Sequence, residues 1–368
     1  MRRGPVVATT TNWAHRNVIG AHSQYSLLGG WSRATGLLDE HFVPDLSMTE
    51  PMIKIGPHPQ WSVPGKIVTF DPFGADIRGS FGAYLDAGYD IRPTIAIHRG
   101  KIRLLELSAA VHGGRLKPDG VVLMESGDCN VTKIPIDSVW DLEGIARRLG
   151  VDEAQMRRCM YEQSGGMYEQ LVSKPELKIF LPPVPNCTIL IFGDPAKLTD
   201  PSVKLTARLH DQCVSSDVLG SEKCSCRSYL MFAIEQCVLT AQEGGVGLIV
   251  YCYLEGRGLG EVLKTLVYNL RDRDGDDPMK YEDYTRQVAG MFDARFQMFK
   301  SDPLHWLGVR RIPYLISASR EKLSGITGGG IEIGHQVPIP NDRVTPGANT
   351  EVMAKEMLHG YAPRGQPN

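Results

Sequence analysis

The stretch Leu230-Met231-Phe232-Ala233-Ile234-Glu235-Gln236-Cys237-Val238-Leu239-Thr240-Ala241, followed by Gly244-Gly245 and Val246-Gly247-Leu248-Ile249-Val250-Tyr251-Cys252-Tyr253-Leu254, decides the fold class. Leu230, Ala233, Ile234, Cys237, Val238 and Ala241 recur at helical spacing, and the glycine pair ends that helix. The β-branched and aromatic run Val246 to Leu254 then reads as a buried strand. Glu255-Gly256-Arg257-Gly258 makes the turn after it. Val262, Leu263, Leu266, Val267 and Leu270 mark an amphipathic helix beyond, on which Lys264 and Tyr268 share one face. Helix, buried strand and helix in succession predict an α/β domain.

Upstream, the apolar run Cys187 to Phe192 predicts another strand. It follows the proline cluster Leu181-Pro182-Pro183-Val184-Pro185, which interrupts regular structure and places a boundary near 175–190, hence domains 1–185 and 186–368. Before the boundary, Asp141 to Gly150 reads as a short helix ended by Gly150, and a second helix runs from Asp152 to about Glu162. Pro93 to Leu107 alternates like strands, and Leu116-Lys117-Pro118-Asp119-Gly120 is a turn signal. Residues 1–90 are irregular and rich in Gly, Pro and aromatics; Trp13, Trp31 and Trp61 are expected to pack inside.

The chain has 368 residues, more than one ordinary core needs and suited to two domains. Hydrophobic residues make up 42% and charged residues 22%, a globular composition. A net charge of −2 gives no field that would draw the protein to nucleic acid or an anionic membrane, so a small molecule is the expected ligand. No apolar stretch reaches the roughly 18 residues of a membrane span, and the start is too poor in apolar residues for a signal peptide. Eight cysteines in so long a chain are no disulfide framework, and a cytoplasmic protein is expected.

Cys213 is separated from Cys224 by ten residues, and Cys224 from Cys226 by one. In an extended segment both thiols of Cys224-Ser225-Cys226 point to one side, and Cys213 can return across the intervening loop. Thiolates suit zinc, and three protein ligands leave a fourth position open, as catalytic sites require. Spacing alone leaves three readings open: a catalytic metal, a structural metal closed by a fourth ligand such as His210, and buried thiols holding no metal. Cys237 and Cys252 fall on apolar faces and read as core.

The segments Arg208-Leu209-His210-Asp211-Gln212-Cys213 and Ser216 to Cys226 resemble the zinc segment of GTP cyclohydrolase II. Leu254 to Gly260, followed by Lys264 and Tyr268, resembles that family's next signature, and Asp293-Ala294-Arg295 its Asp-x-Arg pair. Leu307-Gly308-Val309, Gly330-Ile331-Glu332-Ile333 and Asn349 to Leu358 are similar to its later strands and C-terminal helix. In isolation Glu255-Gly256-Arg257 could be a solvated turn, Asp293 and Arg295 a surface ion pair, and Tyr268 a packing residue; their order behind the cysteines reverses those odds.

The resemblance implies a mixed-sheet α/β catalytic domain behind an α+β N-terminal domain, and a homodimer. It implies one Zn2+ per subunit on Cys213, Cys224 and Cys226, and Mg2+ accompanying a nucleoside triphosphate. Asp293 is then the general base, Arg295, described in the family as a nucleophile, engages the α-phosphate, and Tyr268 assists proton transfer or holds the intermediate. Arg208, His210, Tyr229, Glu255, Gly256, Arg257, Ser317 and Lys322 are the implied substrate contacts.

The pattern departs from the family at the base. Arg227-Ser228-Tyr229 stands where Gly, an aromatic and Gln are usual, and Asp211-Gln212 where Ser-Glu is usual. Unpaired polar atoms against a purine edge cost about 1–3 kcal/mol each, so a different base is expected. Arg92-Pro93-Thr94, Leu116 to Gly120, Val131-Thr132-Lys133 and Glu162 to Tyr168 resemble the N-terminal domain of the branch associated with uracil catabolism. The resemblance therefore implies hydrolytic opening of the base of a uridine nucleotide, with guanine ring opening in riboflavin synthesis, or a non-catalytic nucleotide-binding zinc protein, as the alternatives.

Overall fold

The computed structural model describes residues 2–7, 27–39, 41, 45, 47–49, 53–87, 89–91, 93–181 and 185–359. Trp13, Arg92 and Pro182-Pro183-Val184 lie outside them. The chain divides into two units, Met1–His98 with Ile134–Asn186, and Arg99–Lys133 with Cys187–Asn368.

The second unit is built on a seven-stranded sheet. In order across it run Glu332–Val337, Arg311–Ile316, Leu205–Asp211, Val246–Cys252, Cys187–Phe192, Asp128–Ile136 and His98–Arg103. Leu205–Asp211 pairs in parallel with Val246–Cys252 and with Arg311–Ile316, whereas Cys187–Phe192 pairs antiparallel with Val246–Cys252. The sheet is thus mixed, in a mixed α/β fold. The run that opened the sequence reading forms the strand Val246–Cys252 in its middle, and the helix before it spans Cys226–Gln242. Gly247 lets that helix lie directly on the strand: a Cβ there would stand 2.3 Å from Cys237 Cβ and 2.6 Å from its Cα. The core under the helix includes Ala233, Cys237, Val238 and Ile249, each with no exposed surface, so Cys237 is core as expected.

Segment 99–133 groups with this unit, and Cys187, just after the prolines, begins its longer part. Asp128–Ile136 adds to the sheet beside Cys187–Phe192, and local periodicity carries no information on which sheet a strand joins. Within Pro93–Leu107 only His98–Arg103 is a named strand; Leu105–His112 is a helix.

In the first unit the helix Leu142–Leu149 ends at Gly150 in the left-handed conformation (φ 67°), and Asp152 caps Glu153–Gln163 by accepting from Gln155 N–H. Trp61 is half-buried, edge-on to His58 and Phe73. Trp31 is 65% exposed, against expectation; single large apolar side chains are common on protein surfaces. Among the described residues no helix is long and apolar enough to cross a membrane.

Candidate active site

The strand Leu205–Asp211 carries the chain out of the sheet to Cys213, where one π-helical turn, Val214–Val218, reverses it. Cys224 and Cys226 do not lie on an extended segment. Ser225 has helical backbone angles and Cys226 opens the long helix, so a turn brings the two thiols together. The sulfurs of Cys213, Cys224 and Cys226 lie within 4.8 Å of one another, the one such His/Cys/Asp/Glu group among the described residues. Cys213 Sγ is 3.6 Å from Cys224 Sγ.

The backbone around the thiols is fixed by side chains. Asp217 Oδ2 accepts from Cys213 N–H at 3.0 Å and from the Tyr251 hydroxyl at 2.8 Å. Ser216 Oγ lies 3.3 Å from the Cys224 carbonyl and accepts from Arg227 N–H at 3.0 Å. Glu351, buried on the C-terminal helix Asn349–His359, accepts from Ser225 N–H at 3.2 Å and pairs with Lys355. His210 is occupied elsewhere. Arg208 Nε–H donates to its Nδ1 at 3.0 Å, which leaves the proton on Nε2 to face Asp217 at 3.0 Å. Burial, partly offset by Asp217, also lowers the imidazole's proton affinity. With both nitrogens engaged away from the sulfurs, His210 does not close the cluster.

Lys264 reaches Cys213 Sγ at 2.8 Å, Ser215 Oγ at 2.7 Å and Glu255 Oε1 at 2.9 Å. The neighbouring Cys224 and Cys226 thiols, and then Lys264, hold the Cys213 thiol far below its ordinary range. Hydrogen bonding to Cys213 pushes Cys224 and Cys226 the other way, with burial adding to it. The three thiols thus share their protons unequally, with negative charge favoured on Cys213 beside Lys264. Such a donor set, soft and three-membered, fits zinc.

The same cavity is lined by Gln212, Glu255, Gly256, Arg257, Tyr268 and Arg295. Arg257 sits at φ 62°, a left-handed conformation that costs a non-glycine residue about 1–3 kcal/mol. Its carbonyl accepts from Ala294 N–H at 2.9 Å, and its guanidinium stacks 4.1 Å from the Phe292 ring centre and 4.5 Å from that of Tyr281. Those contacts tie the Glu255-Gly256-Arg257 turn to the Asp293-Ala294-Arg295 segment. Burial strongly disfavours ionising Tyr268, which keeps its phenol protonated.

Asp293 binds Arg295 through backbone and guanidinium, with N–H and Nε at 2.8 and 2.9 Å. Burial would raise its carboxyl, but Arg295 outweighs that and holds it below the ordinary range. Arg295 also donates from Nη1 to Asp211 at 3.0 Å. Asp211 is buried and receives Lys300 and Lys322 besides. Despite burial, these cations keep its carboxyl well below the ordinary range. Burial lowers Lys322 to about 7, with Lys300, Arg208 and Arg295 adding to the shift against Asp211.

Arg208, His210, Tyr229, Ser317 and Lys322 are buried around the end of Leu205–Asp211, the Arg208 guanidinium 4.9 Å from the centre of the Tyr229 ring. Among the described residues they do not line the cavity that holds the thiols. Arg227 and Ser228 line a different cavity behind Cys224, Arg227 being bound by Glu106. Of the base-side departures, then, Asp211-Gln212 lines the cavity that holds all three thiols, and Arg227-Ser228 lines one that shares only Cys224 with it. Asp217, Glu351 and Lys300 went unnoticed in the sequence, which marks none of them by spacing.

Residues 183–338 match the family described as GTP cyclohydrolase II, and residues 1–163 match GTP cyclohydrolase N terminal. Over 363 residues the chain is 43% identical to Uracil-regulated protein 1 of Schizosaccharomyces pombe, covering 98% of this chain and 82% of that protein. The chain belongs to the GTP cyclohydrolase II family. Within that family, GTP cyclohydrolase-2 of Haemophilus influenzae is 32% identical over 152 residues, 41% of this chain and 64% of its own length. The riboflavin biosynthesis protein RibBA of Synechocystis is 33% identical over 150 residues, 41% of this chain and 25% of its own length.

Proposed function

We propose that the protein is a zinc-dependent cyclohydrolase that opens the base of a uridine nucleotide, UTP, in uracil breakdown. The observation that carries this reading is the three-thiol cluster in one cavity with Arg257, Arg295 and Tyr268. Likeness over 98% of the chain to a protein named for uracil regulation supports the uracil reading. A match of similar extent to a protein named a putative GTP cyclohydrolase, 42% identical over 99% of the chain, keeps guanine as the alternative that experiment decides.

A zinc ion on Cys213, Cys224 and Cys226 supplies Lewis acidity and activates water at neutral pH. The chain's own groups do the rest. Lys264 stabilises the Cys213 thiolate at 2.8 Å. Tyr268, held protonated by burial, is a hydrogen-bond donor to the ring nitrogen that leaves, and charge building on that nitrogen must draw the proton against the burial. Arg295 and Arg257 bind the phosphates, a task for which planar guanidinium groups suit bidentate contact, and Mg2+ accompanies the triphosphate. Asp293, depressed and held by Arg295, is a weak base as it stands; it orients that guanidinium until phosphate binding loosens the pair. Hydrolysis of the N3–C4 bond opens the ring, and a second water, adding at C6, releases N1, so that two waters are consumed in giving a ribosylurea phosphate and a three-carbon acid aldehyde.

Incubation of the zinc-loaded protein with UTP and with GTP, followed by loss of each base's absorbance, tests the reading. UTP consumption with GTP unchanged is expected. GTP consumption with formate release and no loss of UTP refutes it in favour of the guanine reaction. Bound zinc without turnover of either nucleotide refutes catalysis.

A further inference from the structure

The C-terminal segment grips the chain on both sides of Cys224. Ala348 and Val352 belong to the core that also holds Leu230 and Ala233 of the helix Cys226–Gln242, so the start of Asn349–His359 is anchored. Just before that helix, Gly347 lies against the segment ahead of Cys224: a Cβ there would stand 2.9 Å from both Cβ and the carbonyl oxygen of Glu222. Within the helix, Glu351 Oε2 accepts at 3.2 Å from the N–H of Ser225, the residue between Cys224 and Cys226. Lys355, one turn further on, pairs with Glu351 and lies 3.4 Å from Ser225 Oγ. Glu351 and Lys355 line the same cavity as the thiols, but Glu351 is not among the donor atoms gathered within 4.8 Å of one another.

A carboxylate in this place does not help the thiols by its charge. Burial would raise it, but Lys355, then Arg271 and Arg257, keep it below the ordinary range. Its charge then adds to Cys213 and burial in disfavouring a thiolate on Cys224. What the carboxylate supplies is an acceptor for a backbone N–H on a residue that is only 1% exposed. Without it that amide would be buried and unsatisfied, and the turn between the two thiols would lose its tie. We infer that Glu351 is a positioning residue for the metal, holding the Cys224-Ser225-Cys226 turn so that both sulfurs converge on one ion. It acts through Ser225, and partners outside the ligand set change metal affinity by roughly 10- to 100-fold when removed. The inference rests on the zinc reading above and is indifferent to which base is opened.

Two conservative variants of the full-length protein separate the acceptor from the charge. Glu351→Gln keeps an oxygen within reach of the Ser225 N–H and removes the charge, whereas Glu351→Asp keeps the charge and withdraws it by one methylene. Zinc affinity is read by competition with a chelator, and ligand geometry by the d–d and thiolate-to-metal bands of the cobalt(II)-loaded protein. Glu351→Asp should weaken zinc by roughly 10- to 100-fold and alter the cobalt spectrum, while Glu351→Gln should stay within about threefold of the wild type and keep its spectrum. Glu351→Met, similar in size and without an acceptor, should behave as Glu351→Asp and serves if that variant does not fold. Wild-type affinity and spectrum in Glu351→Asp or Glu351→Met overturn the inference and leave the zinc reading intact, and so does equal weakening in Glu351→Gln. Failure of the wild type to bind either metal overturns both.

Discussion

Asp211 gathers Arg295, Lys300 and Lys322, the last charged only below about pH 7, and removing its carboxylate should strongly destabilise the fold. Its carboxylate accepts from Arg295 at 3.0 Å and Lys322 at 3.2 Å and pairs with Lys300; its side chain is 8% exposed and that of Lys300 3%. Asp211→Asn keeps the shape and removes the charge, stranding buried ammonium groups. Breaking a buried pair from one side costs about 3–5 kcal/mol, against about 0–1 kcal/mol for a surface pair such as Lys204–Glu243. Urea unfolding of the zinc-loaded protein measures the loss. Lys300→Met supplies the second arm of a double-mutant cycle, because deleting both partners removes the stranded charge as well. The double variant should then be more stable than the sum of the single losses by about 1–3 kcal/mol. A loss below about 1 kcal/mol for Asp211→Asn, or strict additivity with Lys300→Met, refutes the hub.

The pH dependence of stability carries a second signature. Lys322 sits at about 7 when folded, so above that value the unfolded chain holds a proton that the folded chain does not, and stability from this group rises with pH until the ordinary lysine range. Relative to Lys322→Met, the wild type should gain on the order of 1 kcal/mol per pH unit between about pH 7.5 and 9.5, and a flat difference in denaturation midpoints refutes the assignment. Gly247→Val adds a Cβ that would stand 2.6 Å from the Cys237 backbone; overpacking of about 1–3 kcal/mol should lower the melting midpoint by several degrees in calorimetry, and an unchanged midpoint refutes the close approach.

Local patterns carried much of the second unit. Apolar spacing from Leu230 to Ala241 located the helix, and the run from Val246 located the central strand, because both bury their apolar faces in one core. The cysteine spacing found the cluster, although the thiols of Cys224 and Cys226 meet through a turn at a helix start and not on a strand. What stayed hidden are partnerships across the chain. Lys300, Lys322 and Arg295 reach Asp211 over 89, 111 and 84 residues, and no periodicity reports such a meeting. Glu351 reaches Ser225 over 126 residues. The same limit explains why two neighbouring departures looked equivalent in sequence. Arg227-Ser228 and Asp211-Gln212 both flank zinc-type cysteines, yet only the second pair opens on the thiol cavity. A side chain's distance from a ligand residue along the chain does not fix which wall it faces. Here the strand end sends Asp211 to the buried cations and places Gln212, the next residue, on the wall of the thiol cavity.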